Sequence, residues 1–306
     1  MCRLFGMSGG AEPVRATFWL LEAPDSLARQ SRREPDGTGL GSYDPDGRPV
    51  VSKQPLAAYR DHEFAREAKE VVSRTFVAHV RYASTGALDV RNTHPFAQDG
   101  RLLAHNGVIE DLGALERELG DAMSLVGGDT DSERFFALIT REIGRDGDVT
   151  GAIERAAGWV AGHLPLLSLN LVLITASELW ALRYPDTHEL WVLERAAGGP
   201  GGNRHLEHAG ARGSIRVRSA ALAARPAVVI ASERMDEDSG WRLLDPGELL
   251  HVGGDLRVTR RPALESAPAH PLTLADLDPR ARESQRPSGP AQGPPSSSAS
   301  ASTTSS

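Results

Sequence analysis

The stretch MCRLFGMS at residues 1–8 is a short apolar run that predicts a β-strand over residues 2–8. Cys2, the one cysteine in the sequence, stands at the start of this strand. If Met1 is removed, Cys2 becomes the N-terminal residue and carries a nucleophilic thiol next to an α-amine with a reference pKa of about 8. Because free cysteines are often buried, Cys2 could instead be a small hydrophobic residue of this first strand.

The rest of the chain alternates between predicted strands and a few helices. Helices are predicted over residues 14–30, 57–72, 111–119, 129–143 and 149–163. Strands are predicted near 40–43 and over 75–83, 101–105, 168–175, 178–183, 189–194, 215–219, 227–232 and 248–252. Strands that follow one another through tight turns are typical of antiparallel sheets, not of repeated βαβ units.

The composition is that of a globular protein, with 306 residues, 40% hydrophobic and 25% charged. A net charge of −7 without a basic run argues against a nucleic-acid partner. No apolar stretch approaches the roughly 18 residues of a membrane span, and the N-terminus lacks the pattern of a secretory signal. We therefore expect a cytoplasmic protein that does not bind membranes.

The domain organisation follows from a change in composition near the C-terminus. We expect one folded domain over residues 1–264 and a low-complexity, disordered tail over 265–306, since residues 284–306 read SQRPSGPAQGPPSSSASASTTSS. The glycine-rich segment 197–214 predicts a loop. His205 and His208 in that loop are more typical of exposed side chains than of a metal site, so no metal is expected.

Two short stretches in the first hundred residues contain polar groups that could serve a site. In HVRYA at 79–83, Arg81 is flanked by apolar strand residues, and a buried arginine needs an anionic partner such as a carboxylate. An outward-facing arginine on an alternating strand is the competing interpretation. In NTHPF at 92–96, His94 could be a structural hydrogen-bonding residue or a site residue.

Two further stretches follow. AHNG at 104–107 ends an apolar run, and Asn-Gly is a frequent hairpin turn. Alternatively, the Asn106 side-chain amide and the Gly107 backbone N–H could form an oxyanion hole. GGDTDSE at 127–133 precedes a predicted helix, where acidic residues commonly act as caps, although Asp131 could instead hold an ammonium group.

Taken together, Cys2 and the stretches HVRYAS, NTHPF, AHNG and GDTDSE resemble, in this order and spacing, the class II glutamine amidotransferases. These belong to the N-terminal nucleophile hydrolases, and the resemblance covers about residues 2–255. It is closest to the short stand-alone branch that includes the γ-glutamyl amidohydrolase of ergothioneine biosynthesis. The resemblance implies an α+β fold, a four-layer αββα sandwich of two antiparallel sheets with Cys2 at the end of a central strand.

The resemblance also implies roles for individual residues. Cys2 would be the nucleophile with its freed α-amine as general base, and Asn106 and Gly107 would form the oxyanion hole. Arg81 would bind the substrate α-carboxylate and Asp131 its α-ammonium, with His94 as a further substrate-binding residue. The reaction would hydrolyse the γ-amide of glutamine or of a γ-glutamyl compound through a γ-glutamyl thioester, without a cofactor.

Two positions depart from the pattern of the family. DGTG at 36–39 stands where many members have DGWG, so that Thr38 would leave more room near the entrance of the site. Thr85 stands where synthase-linked members often have histidine. Both departures leave the amine part of the substrate open.

Three alternative functions compete with the hydrolysis of a γ-glutamyl amide. The protein could be a glutaminase subunit that delivers ammonia to a separate synthase subunit. It could also be an N-terminal cysteine amidase for acyl amides, which would not need Asp131. Finally, it could be a non-catalytic relative that binds a γ-glutamyl ligand as a regulator.

Overall fold

The computed structural model describes residues 2–82, 88–197, 207–209, 216–218 and 225–285. Strands are numbered in chain order. Seven of them form a first antiparallel sheet: β1 (Arg3–Ser8), β2 (Gly37–Tyr43), β3 (Pro49–Gln54), β4 (Thr75–Arg81), β9 (Trp191–Arg195), β12 (Ala227–Ala231) and β13 (Arg242–Leu243). Their order is β13-β9-β12-β1-β4-β2-β3, which places β1 at the centre of the sheet.

The second sheet lies face to face with the first. It contains β5 (Phe96–Gln98), β6 (Arg101–Ile109), β7 (Pro165–Ile174), β8 (Leu179–Leu182), β14 (Glu248–Val252), β15 (Val258–Pro262) and β16 (His270–Pro271). All pairs in it are antiparallel except β16, which runs parallel to β7. A separate antiparallel pair is formed by β10 (Glu207–Ala209) and β11 (Arg216–Arg218).

Helices cover the outer faces of the two sheets. They are α1 (Leu27–Gln30), α2 (His62–Glu70), α3 (Leu112–Leu119), α4 (Asp131–Asp146), α5 (Val149–His163) and α6 (Pro279–Gln285), with a π-helical segment at Phe18–Glu22 and 3-10 turns at Val90–Asn92 and Gly120–Leu125. The first sheet packs against the π-helical segment, α1 and α2, and the second packs against α3, α4 and α5.

The apolar layer between the sheets holds the sandwich together. Side chains from both sheets are buried in it, among them Leu4, Val77, Leu102, Val172, Ile230 and Leu250. Alternating strand residues face this layer while their neighbours face the helices, which explains the nearly continuous apolar sequence of β1, β7 and β12. The expected four-layer αββα sandwich of two antiparallel sheets is confirmed.

The continuous helix predicted over residues 14–30 is wrong. The segment instead forms the π-helical turn Phe18–Glu22 and the short helix α1. Pro24 lies between them, and a proline has no N–H to continue the hydrogen-bond ladder of a helix.

A disordered tail was expected from residue 265, but residues 265–285 contain the strand β16 and the helix α6. β16 pairs with β7, and Leu277 and the α6 residue Ala281 are buried against Val108 and Leu167. Polar residues dominate this segment, but the few apolar ones are spaced so that they reach the sheet. Residues 286–306 lie outside the described part of the chain. Among the helices of the described ranges, none is long and apolar enough to cross a membrane.

Candidate active site

Cys2 directly precedes β1 and faces the end of the neighbouring strand β4. Arg3 pairs with Val80 in the antiparallel register, which brings the Cys2 thiol against the backbone that follows β4. The Tyr82 N–H donates to the Cys2 Sγ at 3.3 Å, and the thiol donates to the Tyr82 carbonyl at 3.4 Å. Cys2 is 8% exposed, and this exposed part lines a cavity.

The cavity brings together every site residue predicted from the sequence. It is narrow and partly open to solvent. Its walls are formed by Cys2, Arg81, Tyr82, His94, His105, Asn106, Gly107, Thr130, Asp131, Ser132 and Gln285. The ends of the central strands and the start of α4 therefore meet at one concave site, as expected for a binding pocket.

The electrostatic environment of Cys2 keeps its thiol protonated. Burial raises the pKa of the Cys2 thiol above its ordinary value, and the negative charge of Glu34 adds to this increase. The Tyr82 N–H and the Arg81 guanidinium oppose it. A thiol in this environment needs a base to remove its proton before it can act as a nucleophile.

Asp131, the first residue of α4, is held by two backbone amides. Its carboxylate accepts hydrogen bonds from the Ile109 N–H at 3.0 Å and from the Ser132 N–H at 2.9 Å. Thr130 caps the helix by accepting from the Glu133 N–H at 3.2 Å. The capping role therefore belongs to Thr130, and Asp131 is left to present a buried negative charge to the cavity.

Asn106 and Gly107 lie inside a strand, so the interpretation of Asn-Gly as a turn is wrong. β6 continues to Ile109, where Asn106 pairs with Asn170 and Gly107 pairs with Leu169. A Cβ on Gly107 would lie 1.8 Å from the Ser168 carbonyl oxygen, so this close approach requires glycine. The Asn106 side-chain amide donates to the Cys2 carbonyl at 3.1 Å.

Arg81 is the last residue of β4, and it is buried. The interpretation of Arg81 as an outward-facing surface residue is therefore wrong. Burial lowers the pKa of the Arg81 guanidinium, while the negative charges of Asp36 and Asp131 oppose that shift. A buried guanidinium and a buried carboxylate thus border the same cavity and offer the two opposite charges that a zwitterion requires.

His94 lies in the cavity wall and packs against a second buried histidine. The rings of His79 and His94 are 4.2 Å apart, and none of their nitrogens has a hydrogen-bond partner among the described residues. His94 is therefore not the structural hydrogen-bonding residue considered above. Burial lowers the pKa of His79 to about 3 and that of His94 well below its ordinary value, so both rings are neutral at physiological pH.

A buried ionic network, which the sequence did not indicate, surrounds the amino end of β1. The Arg3 guanidinium donates to the Cys2 carbonyl at 3.3 Å and lies 3.7 Å from the Glu34 carboxylate. Arg3 also binds Glu233, which binds Arg33 at 3.0 Å. Burial raises the pKa of Glu34, while the positive charge of Arg3 opposes that shift. These contacts hold the backbone of Cys2 in place and thereby set the position of its thiol.

His105, Ser132 and Gln285 also belong to the site, although they were not predicted as site residues. His105 Nδ1 lies 2.9 Å from the Ser132 Oγ, and its Nε2 lies 3.3 Å from the Ser168 carbonyl. The position of His105 next to Asn106 and of Ser132 next to Asp131 could have pointed to them. For Gln285, no feature of the sequence gave such an indication.

The two departures from the family pattern have different outcomes. Thr38 is buried, donates to the Leu56 carbonyl at 2.8 Å and does not line the cavity. Thr85 lies outside the described residues, and so does His205. Within the described ranges, no group of three or more His, Cys, Asp or Glu side chains could hold a metal ion.

The arrangement contains the groups that acyl transfer from an amide requires. It offers a thiol nucleophile, a side-chain amide and a strand glycine beside it, and one fixed charge of each sign. The family model for glutamine amidotransferases class-II matches residues 1–272. The chain belongs to this family. This class II amidotransferase is an enzyme, and its sandwich is the fold of the N-terminal nucleophile hydrolases.

Two curated relatives match the amidotransferase over different lengths. The γ-glutamyl-hercynylcysteine sulfoxide hydrolase of Mycobacterium tuberculosis is 28% identical over 262 residues, which cover 82% of this chain and 93% of that protein. The isomerizing glutamine–fructose-6-phosphate aminotransferase of Bradyrhizobium diazoefficiens is 28% identical over 166 residues, or 54% of this chain. The chain spans only 26% of the length of that aminotransferase.

The fold also matches solved structures. The glutamine phosphoribosylpyrophosphate amidotransferase from B. subtilis has a TM-score of 0.59 at 19% identity, and the match covers 87% of this chain and 50% of that one. At this level of identity the match shows that the two chains share a fold.

Proposed function

We propose that this class II amidotransferase is an N-terminal-cysteine amidohydrolase that cleaves the γ-amide of glutamine or of a γ-glutamyl compound. The observation that carries the proposal is the single cavity shared by Cys2, Arg81, Asp131, Asn106 and Gly107. A γ-glutamyl amide has a zwitterionic head group and an amide carbonyl. Arg81 and Asp131 match the two charges of the head group. Asn106 and Gly107 offer donors to the carbonyl oxygen, and Cys2 is the nucleophile. The proposal requires processing that frees the α-amine of Cys2.

In the first step, the Cys2 sulfur attacks the γ-carbonyl carbon while the thiol proton passes to the α-amine. A base is needed because burial and Glu34 raise the pKa of the thiol. The tetrahedral intermediate places a negative charge on the former carbonyl oxygen, which the Asn106 side-chain amide and the Gly107 N–H stabilise. The carbon–nitrogen bond then breaks, the α-ammonium protonates the leaving amine, and a γ-glutamyl thioester remains.

In the second step, a water molecule attacks the thioester carbon. The α-amine accepts a proton from this water, the carbon–sulfur bond breaks, and the thiolate regains the proton. Glutamate is released with both head-group charges unchanged. Arg81 and Asp131 hold the glutamyl group through both steps, so that the carbonyl stays oriented towards the same two donors.

Hydrolysis is favoured over delivery of ammonia to a synthase by the lengths of the matches. The relative that aligns over 93% of its own length is named a hydrolase of a γ-glutamyl compound. The match to the aminotransferase covers only 26% of that protein. Glutamine or a γ-glutamyl compound is thus the substrate we propose, and a separate synthase subunit is the second candidate partner.

The proposal is tested with the purified full chain, glutamine and a set of γ-glutamyl amides. We expect glutamate and the corresponding amine to appear in equal amounts without a second protein, and we expect Cys2→Ala to abolish both products. Cys2→Ser is the matched variant, since it keeps a weaker nucleophile and should retain at most a small residual rate. Glutamate release that survives Cys2→Ala would overturn the proposal.

A further inference from the structure

The segment after residue 265 packs against the strands next to the candidate oxyanion residues Asn106 and Gly107. Leu277 and Ala281 are buried against Val108 and Leu167, which lie on the paired strands β6 and β7. Val108 follows the strand glycine of the site, so the C-terminal helix α6 packs against the back of that part of the cavity. Its last residue, Gln285, is 1% exposed and lines the cavity.

A chain of hydrogen bonds fixes the orientation of the Gln285 carboxamide. The Ser284 hydroxyl donates to the Ala281 carbonyl at 2.8 Å, so its oxygen accepts from the Gln285 Nε2 at 3.3 Å. The Gln285 Oε1 lies 2.8 Å from the Nε2 of His188. Burial lowers the pKa of His188 to about 4, so the neutral ring donates to that oxygen from Nε2.

One donor of this carboxamide remains for a ligand. The amide nitrogen carries two hydrogens, and Ser284 is its one acceptor among the described residues. The oxygen is already engaged by His188. Gln285 therefore presents a neutral N–H donor to the cavity, in contrast to the charged Arg81 and Asp131.

We infer that Gln285 is a specificity-determining residue, which donates this N–H to an oxygen on the amine that leaves from the γ-glutamyl group. The inference rests on the proposed function. Amines of the matching class carry a carboxylate or carbonyl oxygen close to the nitrogen, as amino acids and peptides do. An amine without such an oxygen leaves the donor unpaired, and a buried polar group without a partner disfavours binding.

The location of Gln285 supports its assignment to the amine part of the substrate. The glutamyl head is matched by Arg81 and Asp131, and its carbonyl by the residues of β6. Gln285 lines the same cavity as Cys2. It therefore borders the space next to the amino end, where the leaving amine receives its proton.

The test compares two substrates that differ only in the leaving amine, γ-glutamyl-glycine and γ-glutamyl-methylamide. Gln285→Glu keeps an acceptor for His188 and removes the donor, whereas Gln285→Ala removes both. We expect each variant to lower the ratio of kcat/KM for γ-glutamyl-glycine over γ-glutamyl-methylamide by about tenfold or more. Because both rates come from one preparation, a partly inactive variant still gives a valid ratio.

Two controls separate this inference from the proposed function. Gln54→Ala, at an exposed position of β3, should leave the ratio unchanged. The glutamine analogue 6-diazo-5-oxo-L-norleucine loses dinitrogen instead of an amine, so it should label wild type and both Gln285 variants at rates within about twofold. An unchanged substrate ratio in both variants overturns the role of Gln285 while the hydrolase stands. A wild-type protein that neither hydrolyses the substrates nor is labelled overturns the proposed function and this inference with it.

Discussion

Replacing Asp131 by asparagine tests how the enzyme recognises the ammonium group of its substrate. The Asp131 carboxylate is buried and receives two backbone amides, from Ile109 at 3.0 Å and from Ser132 at 2.9 Å. Asparagine keeps the shape but has no charge, and one of its two terminal atoms becomes a donor. That donor would face one of these amides, so the substitution removes a charge-assisted hydrogen bond as well as the partner of the substrate ammonium.

The losses of activity and of stability that we expect from Asp131→Asn can be estimated from the two contacts that it removes, the one to the substrate ammonium and the one to a backbone amide. Removing one member of a buried, hydrogen-bonded charge pair costs about 2–5 kcal/mol in binding. Since each 1.4 kcal/mol is a factor of ten, Asp131→Asn should lower kcat/KM for glutamine by roughly 30-fold or more. The lost bond to a backbone amide should lower the free energy of unfolding by about 1.5–3 kcal/mol.

The assay uses glutamine and its analogue without the α-amino group, 5-amino-5-oxopentanoic acid. Wild type should strongly prefer glutamine, and Asp131→Asn should lose most of that preference, because neither substrate then finds a charged partner. Asp129→Asn is the matched control: Asp129 is exposed, two residues earlier in the chain. If Asp131→Asn lowered both rates equally and kept the preference, Asp131 would only stabilise the fold and the reasoning would be refuted.

Three further substitutions follow from the site. Arg81→Lys should raise KM for glutamine about tenfold or more, because an ammonium cannot bind a carboxylate through two parallel bonds; an unchanged KM would argue against this role. Gly107→Ala would place a Cβ 1.8 Å from the Ser168 oxygen and should lower stability by about 1–3 kcal/mol in thermal unfolding, whereas an unaltered melting temperature would contradict the strand contact. Glu34→Gln removes a charge that raises the pKa of Cys2, so the midpoint of thiol alkylation against pH should move to lower pH, and a midpoint that stays or rises would count against it.

The overall architecture could be predicted because its signals are local. Apolar strands separated by turns indicate antiparallel sheets, and the order of the motifs indicates the family. The helix over residues 14–30 failed because the apolar spacing was followed past Pro24, which cannot continue a helix. The tail was misjudged because Leu277 and Ala281 are too sparse to form a pattern, although they reach a buried surface.

The lining of the cavity could be predicted where a motif contains the lining residue itself. Arg81 and Asp131 are such residues, and both line the cavity together with Cys2. Asn106 and Gly107 were identified too, but their competing interpretation as a turn could be settled only when β7 was seen beside β6. Arg3 gives no sign in the sequence of an ionic role, because its partners lie more than 30 and 200 positions away along the chain.

Gln285 illustrates the limit of reading motifs most clearly. It lies at the edge of a low-complexity segment, and its place in the cavity wall involves a long-range contact with His188. Sequence patterns of helical or strand period report which face of an element is buried, but not which distant element that face meets. Residues that close a pocket from another part of the chain therefore become visible only in the folded structure.

We propose that the sulfur of Cys2, at a processed amino end, attacks a glutamyl group held by Arg81 and Asp131. Mass spectrometry of the full chain after treatment with 6-diazo-5-oxo-L-norleucine tests this attack. We expect a protein without Met1 that gains one adduct, located on Cys2 in the N-terminal peptide, and excess glutamine should slow the labelling. Met1 retained on the active protein, or an adduct on any other residue, would contradict it.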